Sequence, residues 1–386
     1  MRKALVIADD LSGAAEIAGI GHRYGLPARL VRERPKHFAP GLTVIDTDSR
    51  SLPPDDAARA VTRCLEGINP ASFDLIYKKT DSVLRGPVAA ELDALMTALG
   101  ARAALLVPQN PSRARVIVDG LYYIDDVPLN ATAFASDPEH PARSGIALDL
   151  LGDSPRKPTQ CVAAGGYLPR AGITIGAGIS AEDLRGWAAH TKDEALPAGG
   201  AEFFQAVLES RGLGVARHAI DRLREGTTLF VDGSASAYSA GLLDRARREN
   251  MPVTPMPNDV FRDSPELHAQ ALAEWVGVIG DALSRASRCL MTIGRPMQIE
   301  VGDPTHLQRA LAEAVEMLIN RHSLGNLLLA GGATASAICR RLGWSDFTVR
   351  GELDGGVVQL EPQDAAAPHV IVKPGSYPWP ELVWWH

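Results

Sequence analysis

Residues 4–25, ALVIADDLSGAAEIAGIGHRYG, join a short apolar strand to an amphipathic helix through two adjacent carboxylates. The same alternation continues along the chain in LTVID (42–46), DDAARAVTRCLEG (55–67), DLIYKK (74–79), PVAAELDALMTALG (87–100) and AALLVP (103–108). Short apolar strands separated by helices are typical of βαβ units in a parallel sheet that helices cover on both faces. The N-terminal region is therefore predicted to be a Rossmann-like α/β domain.

Composition excludes several classes of protein. The 386 residues include 39 Lys+Arg and 46 Asp+Glu, and a net charge of −7 gives no general attraction to nucleic acid. The longest uncharged run, 323–339, contains three glycines and several polar residues, so no membrane span is predicted. The four cysteines lie far apart, which fits reduced thiols in a cytoplasm. We expect a cytoplasmic protein of two or three domains, and a homo-oligomer remains open.

The domain boundary is predicted from changes in this pattern. Between Arg115 and Leu129, two β-prone runs meet at an Asp-Gly pair, which predicts a β-hairpin that leaves the main sheet. Further strands, with helices from Ala181 and Ala201, extend the first domain. A new strand-turn-helix pattern then begins at TTLFVDGSAS. We predict a first domain over residues 1–220 and a second α/β domain over residues 221–386.

The second domain repeats the alternation of strands and helices. Strands are predicted at TLFVDG, RCLMTIG and NLLLAGG, with helices to Asn250, over 265–285, over 304–322 and to Leu342. The chain closes with the β-prone segments GVVQLEP and HVIVKPG before a tail rich in proline and tryptophan. Both domains are thus expected to be α/β.

The segment ADDLSGA (8–14) places Asp9 and Asp10 at the carboxyl end of the first predicted strand, with Ser12 able to cap the next helix. In open α/β sheets, ligands bind at this end of the strands. Capping needs one side chain, and a buried carboxylate without a partner is costly. We therefore expect at least one of the two carboxylates to have a functional role.

A loop of mixed charge, KKTDSVLRG (78–86), follows the strand DLIY and would lie at the same sheet edge. It contains Lys78, Lys79, Asp81 and Arg85. Arginine binds a carboxylate through two parallel hydrogen bonds, and aspartate accepts hydroxyl protons, so the cluster suits a small polyol acid. A solvated loop whose charges pair with one another is the alternative.

Two turns in the second domain suggest phosphate binding. LLLAGGATASAI (327–338) and VDGSASA (231–237) each lead from a strand through small residues into a helix. Backbone amides at such a helix N-terminus can approach a phosphate, and the helix dipole favours negative charge. Either turn alone could be structural, but together they favour a nucleotide-binding domain. The sequence contains no GxxxxGK[ST], no HExxH and no complete GxGxxG.

Four motifs in order give the chain a resemblance to the four-carbon acid sugar kinases: ADDLSGA, KKTDSVLRG followed by AELDALM, DGLYYIDDVPLNATAFASDPEHP, and GGATASAI. The resemblance spans nearly the whole chain. It implies an N-terminal substrate domain, a C-terminal nucleotide-binding domain, and phosphorylation of a tetronate such as threonate, erythronate or 3-oxo-tetronate with ATP and Mg²⁺.

Carried over by position, the resemblance assigns the first two motifs to the acid-sugar pocket. Asp10 and Asp81 are the alternative candidates for the catalytic base, and Asp9, Lys79 and Arg85 would bind substrate. The metal ligands remain open. The resemblance implies that the following residues face ATP: Ser234, Ser236, Gly331, Gly332, Ala333, Thr334 and Gly375.

Two segments depart from the pattern of the family. The late lysine- and glycine-rich segment is KPGSYPWP (373–380) here, and the proline after the lysine stiffens that turn. The element before the hairpin is altered to VPQNPSRARVIVDG (107–120). Two alternatives to a kinase follow: a non-catalytic protein that binds a sugar acid and nucleotide as a sensor, or another sugar-processing enzyme that retains only the substrate domain.

Overall fold

The computed structural model describes residues 1–137, 139–152, 154, 156–192, 194–216, 222–233, 237–261, 265–294 and 304–384. Two compact units make up the chain, Met1–Arg217 and His218–His386. Both units are α/β, as predicted. Within the described residues, no helix is both long and apolar enough to cross a membrane. All four cysteines are free thiols.

A parallel sheet forms the centre of the N-terminal unit. The strands of this unit are β1 (Lys3–Ala8), β2 (Ala28–Val31), β3 (Gly41–Asp46), β4 (Leu75–Lys79), β5 (Ala103–Val107), β6 (Arg115–Val118), β7 (Leu121–Ile124), β8 (Val127–Pro128), β9 (Thr159–Val162), β10 (Gly172–Gly176) and β11 (Leu196–Gly199). Eight of these strands pair in parallel in the order β2-β3-β1-β4-β11-β5-β10-β9. The sequence pattern does not predict β2, because a four-residue run carries almost no periodicity.

Helices cover this sheet. They are α1 (Leu11–Arg23), α2 (Pro54–Leu65), α3 (Val88–Leu99), α4 (Ala147–Leu151), α5 (Ala181–Ala189) and α6 (Ala201–Ser210). Leu5 and Ile7 of β1 pack in one cluster with Val61 of α2 and Leu95 of α3. Because β1 is buried on both faces, its sequence is continuously apolar rather than alternating.

The predicted hairpin forms a separate antiparallel sheet of β6, β7 and β8. Asp119 and Gly120 join β6 to β7 with φ angles of 47° and 79°. Positive φ at both central residues is the geometry that an Asp-Gly turn favours in a tight hairpin. The prediction of an excursion from the main sheet is therefore confirmed.

The C-terminal unit has its own mixed sheet. Its strands are β12 (Thr227–Asp232), β13 (Val253–Pro255), β14 (Arg288–Thr292), β15 (Leu324–Ala330), β16 (Asp346–Asp354), β17 (Val357–Pro362) and β18 (His369–Lys373). The order is β13-β14-β12-β15-β18-β17-β16, with β17 antiparallel to both of its neighbours and the other pairs parallel. The helices are α7 (Ala237–Arg248), α8 (Pro265–Ala286), α9 (Pro304–Arg321) and α10 (Gly332–Arg341).

The tail packs onto this second sheet. Trp384 stacks on Phe230 of β12 with ring centroids 5.2 Å apart, and Trp379 meets the same ring edge-on at 5.9 Å. Nη1 of Arg288 donates a hydrogen bond of 2.7 Å to the carbonyl of Trp384. Trp379, in the segment KPGSYPWP that departs from the pattern of the resembled family, therefore packs in the core of its unit.

Candidate functional site

The order of the strands reverses at β1. The chain continues from β1 to β2 and β3 on one side, whereas β4 pairs with β1 on the other side, with Ala8 opposite Lys79. Such a reversal opens a crevice at the carboxyl ends of the strands, where ligands bind in open α/β sheets. Asp9 and Asp10 follow β1 and residues 80–86 follow β4, so both predicted motifs lie at this crevice.

Arg50, in the segment after β3, joins the carboxylates of the crevice. Its Nε lies 2.7 Å from Oδ2 of Asp9, and its Nη2 lies 2.6 Å from Oδ1 of Asp10. Its Nη1 lies 3.6 Å from Oδ2 of Asp81. The side chain of Arg50 is only 15% exposed. The motifs do not indicate Arg50, although its position just after a strand of the same sheet was a usable signal.

Asp10 caps α1. Its Oδ1 accepts a hydrogen bond of 2.9 Å from the backbone N–H of Gly13, and its Oδ2 accepts one of 2.6 Å from the Ser12 hydroxyl. Ser12, which the sequence allowed as a cap, does not take this position, because the helix begins at Leu11 and the extended Asp10 is the capping residue. Gly13 leaves the necessary room, since a Cβ there would lie 2.7 Å from Oδ1 of Asp10 and 3.1 Å from Nζ of Lys79.

Lys78 and Lys79 are successive strand residues, so their side chains lie on opposite faces of the sheet. Nζ of Lys78 is 3.1 Å from Oε2 of Glu91 on α3. Nζ of Lys79 is 3.7 Å from Oε2 of Glu16 on α1. Lys78 is 0% exposed and Lys79 is 4% exposed. These two cations pair with carboxylates of α1 and α3 in the protein interior, not with charges of their own segment in solvent, so for Lys78 and Lys79 the alternative of a solvated loop is wrong.

Asp81 and Arg85 fix the shape of their own loop. Oδ1 of Asp81 accepts hydrogen bonds from the backbone N–H groups of Val83 and Arg85, at 3.0 and 3.2 Å. Oδ2 of Asp81 accepts one of 2.8 Å from Nη2 of Arg85. Nη1 of Arg85 lies 3.1 Å from Oδ2 of Asp137, and the guanidinium lies over the ring of Phe134. Two carboxylates and one aromatic ring therefore orient Arg85.

The hairpin reaches the same loop. The Tyr122 hydroxyl on β7 donates a hydrogen bond of 2.6 Å to the carbonyl of Ser82. Nη1 of Arg115 on β6 donates one of 2.7 Å to Oγ of Ser82, and its guanidinium lies 5.7 Å from the ring centroid of Phe134. The excursion from the main sheet thus supports the loop at the crevice, a role that the sequence pattern does not reveal.

Burial and neighbouring charges shift the pKa values of the acids here. Burial raises the pKa of Asp9, but attraction to Arg50 and other cations outweighs it, so this pKa lies below its usual value. The pKa of Asp81 is lowered in the same way by Arg85 and Arg50. Burial beside other carboxylates raises the pKa of Asp46, at the end of β3, to about 7. Asp9 and Asp81 are therefore ionised at neutral pH.

Three neighbouring strand ends form the corresponding edge of the C-terminal sheet. Asp232 at the end of β12 is opposite Ala330 of β15, which is opposite Lys373 of β18. Both charged residues are buried. Burial lowers the pKa of Lys373 to about 8, although Asp232 opposes this shift. A carboxylate and a cation thus lie on either side of the strand that leads into the Gly-Gly turn.

Gly331 connects β15 to α10. Its φ of 91° lies in the left-handed region that favours glycine, and a Cβ on it would meet no atom of the described residues within 4 Å. A Cβ on Gly375 would lie 3.8 Å from Cα of Gly331, so these two predicted residues are neighbours. The first turn of α10 contains three more: Gly332, Ala333 and Thr334. Two predicted hydroxyl donors lie outside the described residues: Ser234 and Ser236.

Comparison with known proteins identifies this combination of domains. A family model described as a sugar-binding N-terminal domain matches residues 4–239, and one described as a nucleotide-binding C-terminal domain matches residues 229–377. The 3-oxo-tetronate kinase of Methylobacterium radiotolerans is 26% identical over 96% of the chain and 95% of that kinase. The chain belongs to the four-carbon acid sugar kinase family.

Further comparisons agree with membership of the four-carbon acid sugar kinases. The D-threonate kinase of Salmonella typhimurium is 33% identical over 153 residues, a match that covers 39% of the chain and 36% of that kinase. The crystal structure of Haemophilus influenzae protein HI1011 has a TM-score of 0.70 at 19% identity and covers 98% of each chain, so it shares the fold. The resemblance carried by the sequence motifs is confirmed.

Proposed function

We propose that this four-carbon acid sugar kinase transfers the γ-phosphoryl group of ATP to a hydroxyl of a tetronate such as threonate, erythronate or 3-oxo-tetronate. The observation that carries the proposal is that one chain matches both a sugar-binding and a nucleotide-binding domain. Relatives named D-threonate kinase and 3-oxo-tetronate kinase support the four-carbon class of acceptor. We assign the acid to residues 1–220 and ATP to residues 221–386.

The crevice at β1 and β4 is the proposed acid-sugar site. Arg85 would bind the substrate carboxylate, because a guanidinium binds it through two parallel hydrogen bonds, and Lys79 adds a second cation. The carboxylates of Asp9, Asp10 and Asp81 can bind hydroxyl groups, and one of them can accept the proton of the reacting hydroxyl. Phosphoryl transfer depends chiefly on positioning and charge neutralisation, so such a set meets the needs of the acceptor.

The edge containing Asp232, Gly331 and Lys373 is the proposed ATP site. Backbone N–H groups at the start of α10 and the open space beside Gly331 suit phosphate oxygens, and Lys373 adds positive charge. We also propose that Mg²⁺ accompanies ATP. Among the described residues, no three His, Cys, Asp or Glu side chains could hold a metal together. Mg²⁺ commonly takes one or two carboxylates and phosphate oxygens, which the Asp232 carboxylate fits, and it would neutralise phosphate charge.

Release of ADP tests the proposed reaction. The purified protein with MgATP is offered four- to six-carbon aldonates and their 2- and 3-oxo forms, and ADP is measured in a coupled assay. We expect ADP release that requires a four-carbon acid. Calorimetric titration with a non-hydrolysable ATP analogue separates the alternatives. Nucleotide binding without ADP release from any acid would indicate a non-catalytic binding protein, and absence of nucleotide binding would contradict the kinase.

ATP binding is expected to weaken as the pH rises through about 8. Burial lowers the pKa of Lys373 to about 8, so above this pH the side chain loses the charge that attracts phosphate. The affinity for ATP should then fall by up to about tenfold per pH unit. Calorimetry between about pH 7 and 9 measures this, with Lys373→Arg as the control because arginine stays charged over this range. The same pH dependence in both proteins would show that Lys373 does not contact phosphate.

A further inference from the structure

Three carboxylates share Arg50 at the crevice but differ in how their oxygens are used. Both oxygens of Asp10 accept hydrogen bonds at the start of α1, and both oxygens of Asp81 accept them within its own loop. In Asp9, Oδ2 accepts a hydrogen bond from Nε of Arg50, whereas Oδ1 has no hydrogen-bond partner among the described residues. Asp9 is 1% exposed, so this oxygen is buried.

A buried carboxylate oxygen without a donor is costly, which points to a donor that the chain itself does not supply. Two further buried atoms near the end of β4 also lack a partner in the described part of the chain: Oγ1 of Thr80 and Nε of Arg85. Thr80 follows Lys79, and Lys79 is opposite Ala8, the residue before Asp9. The three atoms provide an acceptor, a hydroxyl and a cationic donor, which together complement a hydroxy acid.

We propose that Asp9 is the catalytic base of this kinase and that its Oδ1 accepts the proton of the hydroxyl that attacks ATP. This assignment rests on the proposed function. The hydroxyl oxygen forms a bond to the γ-phosphorus, and the bond from that phosphorus to the β,γ-bridging oxygen breaks. The electron pair of the broken bond leaves with ADP, and the hydroxyl proton moves to Asp9. Asp10 and Asp81, the bases expected from the motifs, then cap α1 and hold Arg85.

The surroundings of Asp9 suit this role. Arg50 binds Oδ2 and thereby fixes the orientation of the carboxylate, with Oδ1 as the accepting atom. Burial raises the pKa of Asp9, but Arg50 and Lys78 lower it by more, so this pKa lies below its usual value. The side chain is therefore already ionised when the hydroxyl binds. The loose transition state of phosphoryl transfer makes small demands on the strength of the base, so a weakly basic carboxylate is sufficient.

Asp9→Asn tests the proposal, with Asp10→Asn as the matched control. Asparagine keeps an oxygen for Nε of Arg50, so the fold should persist, but the amide cannot accept the proton. For Asp9→Asn we expect kcat to fall about 10²–10⁴-fold. The Kd values of the sugar acid and of ATP, measured by calorimetry, should change by less than about threefold. Asparagine caps a helix as well as aspartate does, so kcat of Asp10→Asn should stay at least about tenfold above that of Asp9→Asn.

The outcomes separate the assignment from the proposed function. If the wild-type protein releases ADP with a four-carbon acid and Asp9→Asn keeps its kcat within about tenfold, Asp9 is not the base and the kinase stands. If the wild type releases no ADP with any acid, the proposed function fails and the assignment fails with it. Asp9→Ala gives a second measurement: added formate should restore part of its kcat by supplying a carboxylate, and a folded variant without such rescue would overturn the proposal.

Discussion

The variant Arg50→Ala is expected to lose about 3–5 kcal/mol of unfolding free energy at neutral pH. Arg50 is largely buried and contacts the carboxylates of Asp9, Asp10 and Asp81. Its removal leaves three carboxylates close together in the protein interior without the cation that neutralises part of their negative charge. Removing one partner of a buried ion pair has this cost because the remaining charge stays desolvated without its counter-ion.

The loss of stability in Arg50→Ala should depend on pH in a definite direction. The folded-state pKa values of Asp9 and Asp81 lie below the unfolded values, so these groups stabilise the fold above the usual aspartate pKa of about 4. That contribution disappears as the pH falls through the folded-state values. Without Arg50 the two pKa values rise, and protonation relieves the repulsion. The difference in stability between wild type and variant should therefore be largest near neutral pH and shrink toward about pH 4.

Urea unfolding at neutral and acidic pH measures this difference. Arg59→Ala is the matched control, because Arg59 pairs with Asp56 at the surface and its side chain is 65% exposed. The control should change stability by at most about 0.5 kcal/mol. Arg50→Lys should also lose stability, since one ammonium cannot reach three carboxylates through separate N–H groups. An Arg50→Ala protein as stable as the control would show that the three carboxylates do not depend on Arg50.

The crevice could be predicted from the sequence because it follows from the succession of strands. Each strand of a parallel sheet ends at the same edge, so Asp9, Asp10 and Asp81 had to lie at one edge once their segments were recognised as strand ends. Local hydrophobic patterning contains that information. It does not contain the order of the strands, which decides whether two such ends are neighbours.

The residues that the sequence did not indicate depend on this order. Arg50 reaches the carboxylates because β3 pairs with β1. Asp232 and Lys373 lie only two strands apart because β12 and β18 both pair with β15. Such contacts join positions far apart in the chain, and no motif spacing encodes them. A lone arginine or lysine after a strand is also common on solvated surfaces, so residue type alone is weak support.

Two other differences between sequence and structure are local. Both Asp10 and Ser12 can cap a helix, and the choice depends on where the helix begins, which in α1 is Leu11. Strand β16, DFTVRGELD, was not predicted, although its buried and exposed residues alternate with the period of two that is typical of a strand. Both differences involve only a few residues, but the first changes which carboxylate is free to act on a ligand.

The variant Lys78→Met is expected to lose about 3–5 kcal/mol of unfolding free energy. Lys78 and Glu91 are both fully buried, with Nζ and Oε2 3.1 Å apart. Burial raises the pKa of Glu91 and Lys78 lowers it, so without Lys78 this pKa rises further above the unfolded value. Glu91 then favours folding only when protonated. The stability deficit of Lys78→Met should therefore grow as the pH rises and shrink as it falls.

A second substitution should recover most of this loss. In Lys78→Met/Glu91→Leu neither charge is buried, and apolar replacements of buried ion pairs are often nearly neutral. The Ser49 hydroxyl donates to Glu91 in the wild type, but it also lies 2.6 Å from the Thr47 hydroxyl, so it retains a partner. We expect the double variant to lie within about 2 kcal/mol of the wild type. The double-mutant cycle from urea unfolding should then give a coupling energy of at least about 2 kcal/mol.

The same double variant shows whether the pair serves the fold or the chemistry. A coupling energy near zero would contradict a shared buried site for Lys78 and Glu91. If the pair only stabilises the sheet and α3, the double variant should keep kcat within about tenfold of the wild type once its stability is recovered. Lys78 also helps to lower the pKa of Asp9. A much larger loss of kcat in a stable double variant would therefore mean that Lys78 acts on the reaction through the charge of Asp9.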